Sequence, residues 1–126
     1  MPAQIINRIE AGHRDERADC AMSALSVYLG VSYTDCIRLA TVLDHQHGKR
    51  GLWPGTLIRM AADFGHTLVR RKLTEDSYGV ICIPGHAAVV RGELVIDRDT
   101  IWPVDVWLRA FKMRPSDATV LEVADQ

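Results

Sequence analysis

Residues 86–97 read HAAVVRGELVID. Two runs of β-branched and small apolar residues flank Gly92 and Glu93, and a glycine in a two-residue connection supplies the positive φ of a tight hairpin. With Gly92 and Glu93 as the turn, Arg91 faces Leu94, Val89 faces Ile96, Ala88 faces Asp97 and His86 faces Asp99. Side chains alternate along a strand, so His86, Ala88, Val90, Val95, Asp97 and Asp99 share one face. The histidine therefore has two carboxylates on its side of the sheet, Asp99 directly opposite and Asp97 on the diagonal, at about 7–8 Å between backbones. Either carboxylate can hold one imidazole nitrogen and leave the other to act as a base.

The alternating pattern extends on both sides of this hairpin. Residues 67–72 and 79–83 read as strands before it, and residues 119–123 as a last strand, with a short helix opened by Pro103 between. Upstream of residue 66 the apolar period is helical. Asp19 is a candidate N-cap for a helix through Ala21, Ala24, Leu25, Tyr28 and Leu29 that Gly30 ends. Ser32 or Thr34 can cap a second helix running to Leu43, and the polar residues 44–51 read as a loop. Pro54 suits the first turn of a third helix that carries Leu57, Ile58, Met60, Ala61 and Phe64 and stops at Gly65. Helices first and an antiparallel sheet second make an α+β fold, expected as one domain over residues 1–126.

Composition narrows the functions. Fifteen basic against 16 acidic residues leave a formal charge of −1, which creates no field to recruit nucleic acid. No apolar run reaches membrane-spanning length and no signal peptide is evident, so the expected setting is cytoplasmic, without a membrane partner. Cys20, Cys36 and Cys82 are odd in number and widely spaced, which fits free thiols. Cys36 and Cys82 lie in apolar runs and read as core residues.

Cys20 differs because the candidate cap Asp19 places it at a helix entrance. There, unpaired N–H groups and the helix dipole favour a thiolate, and the Cys20 amide itself can face a developing oxyanion. A metal centre is not expected. His45 and His47 stand one residue apart in the polar segment, but no CxxC, HExxH or HxxxH spacing accompanies them. Trp53, Trp102 and Trp107 are candidates for a groove lining or for core.

The helix-opening "DC" at residues 19–20, the run GLWPGTLIRMAADFG at 51–65 and GHAAVVRGELVID at 85–97 together resemble the papain-like cysteine peptidases. Among these the pattern is most similar to the domains that remove double-glycine leaders from bacteriocin precursors, and to related short phage and bacterial proteins. The resemblance implies a helical half carrying the nucleophile against a sheet carrying the histidine. It further implies Cys20 as nucleophile, His86 as general base, Asp97 as the residue orienting it, no cofactor, and a peptide or protein substrate. Where the leader peptidases have a glutamine that binds the oxyanion, this chain has Arg14, whose N–H donors make it the candidate for that role. Ala21 and Arg98 likewise replace a usual glycine and proline. The alternative function is an inactive fold of the same kind that binds a partner, such as a phage protein acting on a host protein.

Overall fold

The computed structural model describes residues 16–47 and 54–124, with side chains for 20–42 and 54–124. Among the described residues three helices come first: α1 (Glu16–Leu29), α2 (Tyr33–His47) and α3 (Pro54–Asp63). Strands β1 (Leu68–Lys72), β2 (Tyr78–Ile83), β3 (His86–Arg91), β4 (Leu94–Asp97) and β5 (Thr100–Pro103) follow. Helix α4 (Val104–Ala110), a 3₁₀ turn (Pro115–Asp117) and β6 (Thr119–Val123) complete the chain. The fold is α+β, helices N-terminal and the sheet C-terminal. No described helix is long and apolar enough to cross a membrane.

The six strands form one antiparallel sheet in the order β1-β6-β2-β3-β4-β5. β6 inserts between β1 and β2, so the last strand of the chain locks the first to the middle. It approaches β2 so closely at Gly79 that a Cβ there would run into the Leu121 carbonyl.

Helices cover both faces. Cys82, Ala87, Val89 and Leu121 pack under α1, α2 and α3 with Leu25, Tyr33, Leu57 and Met60. On the other face Ile81, Ala88, Val90, Val95 and Val120 pack under Trp107 and Leu108 of α4. A strand buried on both faces has no polar side, which explains why β2 reads VICI and β3 reads AAVV without strict alternation. Each large side chain fully buried in these layers contributes about 1.5–3 kcal/mol. Helix α1 is buried along residues 20–26, and two of these, Ser23 and Ser26, are small and polar. Small residues let it lie between the sheet and its neighbouring helices; Ser26 Oγ donates to the Val31 carbonyl at 2.8 Å. Tyr28 ties its end to the sheet, its hydroxyl accepting from the Val123 N–H at 2.8 Å.

The glycine and proline stops act where expected. Gly30 and Gly65 adopt positive φ just past their helices. The N–H of His66 bonds the Ala61 carbonyl and that of Gly65 bonds Ala62, a Schellman closure. Ser32 caps α2, its Oγ accepting from the Asp35 N–H. Three expectations need correction. Helix α1 begins at Glu16, so Asp19 lies inside the helix and is not its cap. Helix α2 runs on to His47, so the polar segment at 44–47 is helical; polar residues in sequence are as compatible with a helix as with a loop. Residues 100–103 form an additional edge strand, with Pro103 then serving as the N-cap of α4.

Candidate functional site

The site gathers where α1, β3, β4 and α4 meet. Pro84 and Gly85 connect β2 to β3 in two residues, with Gly85 at φ 81°, the Pro-Gly pattern of a type II turn. His86 is therefore the first residue of β3, at the end of the sheet and largely covered. The β3–β4 ladder has the expected register, from Arg91↔Leu94 to Val89↔Ile96. It stops there, because Arg98 takes a left-handed conformation at φ 59° and the chain turns to pair Thr100 with Asp97.

That turn decides between the two carboxylates. Asp97 bonds His86, with Oδ2 at 2.7 Å from Nε2, whereas Asp99 is carried onto the exposed turn. The turn is held from within: Thr100 Oγ1 donates to the Asp97 carbonyl at 2.9 Å, and Trp102 Nε1 donates to Thr100 Oγ1 at 3.0 Å.

Asp97 Oδ2 also accepts from Trp107 Nε1 at 2.8 Å. The indole is almost wholly buried, and a buried Trp N–H needs an acceptor. Burial works to raise the Asp97 pKa, but the bonds from His86 and Trp107 and the charges of His86 and Arg98 outweigh it, holding the carboxyl below its usual range. Burial likewise works against the imidazolium. The bonds from Asp97 and from the Cys20 thiol prevail, and the His86 pKa is pushed up to about 9. The ring is thus charged at neutral pH, with Nε2–H donated to Asp97. Because Nε2 is occupied, Nδ1 is the nitrogen left to face Cys20.

Cys20 is within hydrogen-bonding reach of His86, so the structure brings Cys20, His86 and Asp97 together around one imidazole. The thiol lies in the second turn of α1, not the first, with its N–H committed to the Glu16 carbonyl by the helical pattern. The Cys20 amide is accordingly not a free oxyanion donor. Arg14 lies outside the described residues. The thiol is 3% exposed, and the crevice beside it, walled by Ser23, Ala88, Ile96 and Arg98, has no room for a water molecule. Cys36 and Cys82 are core residues, each thiol pushed up to about 12 by burial.

On the other side of His86 opens a cleft of about 510 Å³, lined by Asp97, Arg98, Asp99, Trp102, Trp107 and Phe111. Trp102 is thus groove lining, Trp107 is a core residue that also reaches the cleft wall, and Trp53 lies outside the described residues. Phe111 stacks on the imidazole. Neither the Trp107 bond nor the Phe111 stack was legible in the chain, since both depend on α4 folding back over the sheet. The one signal was the amphipathic character of Trp107 itself. Among the described residues no three His, Cys, Asp or Glu side chains gather as a metal cluster.

Fold and site together define an α+β chain with a Cys–His–Asp cluster at the junction of a buried helix and a sheet end. Compared with protein-family models, with curated proteins and with solved structures, the chain matches none.

Proposed function

We propose that the protein is a thiol hydrolase of the papain-like kind, acting on a peptide or protein. The observation that carries the reading is His86 held between two partners, the Asp97 carboxylate at 2.7 Å on Nε2 and the Cys20 thiol on the other side. A nucleophile within reach of a base that a third group orients is the arrangement covalent acyl transfer uses.

In the proposed cycle Cys20 attacks as its thiolate, its proton resting on the His86 imidazolium, and the sulfur forms a C–S bond with the substrate carbonyl carbon as the carbonyl electrons move onto oxygen. His86 gives its Nδ1 proton to the leaving amine while the C–N bond breaks, leaving a thioester. Water then attacks the thioester carbonyl, His86 takes the water proton, and rupture of the C–S bond releases the acid and restores the thiol. Asp97 holds the ring aligned throughout and stabilises the imidazolium each time it forms. Arg14 is the proposed oxyanion donor. No step requires a cofactor.

The test is selective alkylation of native protein with iodoacetamide at about pH 6, where an ordinary thiol is protonated. Cys20 is expected to react fastest of the three cysteines, and His86→Ala to remove its advantage. Equal slow reaction of Cys20, Cys36 and Cys82 would sink the reading.

A second reading, a papain-like fold that binds a partner without turnover, is favoured by one observation: the crevice at Cys20 is closed. It predicts no cleavage of any member of a peptide library.

A further inference from the structure

The His86 ring is held at its edges by Asp97 and Cys20, but the terminal χ angle of a histidine has broad wells, and packing on the ring face narrows them. That packing comes from Phe111. Its ring lies on the imidazole at 4.8 Å between centroids and 24° between planes, an offset stack. Trp107 braces the same phenyl ring at 5.2 Å and 60°. Phe111 follows the last residue of α4, where the N–H of Met113 bonds the Leu108 carbonyl and that of Lys112 bonds Arg109. This closure puts Lys112, a residue with a Cβ, at φ 58°. A helix ending in so unfavourable a conformation turns the chain just where Phe111 must cover the histidine. Phe111 is 39% exposed, so one side of the residue meets solvent while its ring lies on His86.

We propose that Phe111 is a positioning residue for His86: its stacked ring holds the imidazole in reach of both Cys20 and Asp97 and keeps water from the Asp97 bond. The role in reactivity rests on the hydrolase reading above; the role in holding the ring does not. Besides Phe111, the groups facing His86 are Cys20 from α1, Asp97 from β4 and Trp107 from α4, with Arg98 beside Asp97.

The experiment compares F111A, F111L, F111Y and F111W in two readouts. The first is the Cys20 alkylation rate as a function of pH, and the second is the low-field proton resonance of His86 Nε2–H. F111L keeps an apolar cover without a flat ring, so it separates stacking from simple packing. F111A and F111L are expected to slow Cys20 alkylation at about pH 6 by about tenfold, the equivalent of one aromatic stack. Both are also expected to lose the Nε2–H resonance to solvent exchange, while F111Y and F111W stay within about twofold of the parent in rate and keep the resonance. F111L behaving like the parent in both readouts overturns the proposal. If Cys20 of the parent shows no advantage over Cys36 and Cys82, the hydrolase reading falls alone. The resonance then decides: its persistence in F111A overturns the positioning role, and its loss there with rescue in F111Y supports it.

Discussion

Asp97→Asn tests the electrostatic core of the site. In the parent, His86 is pushed from 6.5 up to about 9 despite its burial, with Asp97 first among the partners that raise it. A group whose pKa rises on folding stabilises the fold fully below its unfolded value, and loses that contribution as pH climbs through the folded one. The window therefore runs from about pH 6.5 to about 9. A shift of this size corresponds to about 3 kcal/mol; the His86 side chain is 18% exposed, so solvent screens little of it. Cys20 is the second partner, and assigning roughly half to Asp97 leaves about 1.5 kcal/mol. Asparagine preserves the shape and removes the charge. Urea unfolding at about pH 6 and about pH 10 is then expected to show the parent losing about 1.5 kcal/mol more than the variant between the two. Cys36 and Cys82, pushed up to about 12, also favour unfolding in alkali, but equally in both proteins, so the difference isolates the pair. Parallel pH dependence in the two proteins, within about 0.5 kcal/mol, would refute the assignment of the His86 charge to Asp97.

Three further outcomes follow from the packing. Trp107→Phe removes the second donor on Asp97 and some buried volume, and should cost about 2 kcal/mol in chemical denaturation while weakening the His86 Nε2–H resonance; an unchanged midpoint would show that the bond contributes nothing. Gly79→Ala forces a Cβ against the Leu121 backbone, where no side chain can yield, so a loss of about 2–4 kcal/mol is expected and a neutral result would contradict the β2–β6 approach. Lys112→Gly relieves the left-handed backbone after α4 and should raise stability by about 1 kcal/mol, read as a higher thermal midpoint.

Much of the fold was legible because its signals are local. The helical period of residues 21–29 and 57–64, the positive φ at Gly30, Gly65 and Gly92, and the register around the Gly92 turn all depend on chain neighbours. The placement of His86 and Asp97 on one face came from the same source, since alternation is a property of any strand. Helix α1 starting at Glu16 was not legible, because Asp19 is as good a cap by type as any residue before it. The edge strand β5 was missed because four residues ending in proline carry too short a pattern to separate from a helix lead-in.

The residue types and their spacing were enough to nominate Cys20, His86 and a neighbouring aspartate, and to put helices before sheet. The resemblance pointed to Asp97 while strand alternation alone left Asp99 open; the geometry that joins Asp97 to His86 belonged to the tertiary structure, because it hangs on where the β3–β4 ladder ends, and the Arg98 turn and the pairing of β5 set that point. So did the closed crevice around Cys20 and the aromatic cover on His86. Each arises from elements distant in the chain packed against one another, and no local period records what lies across the gap.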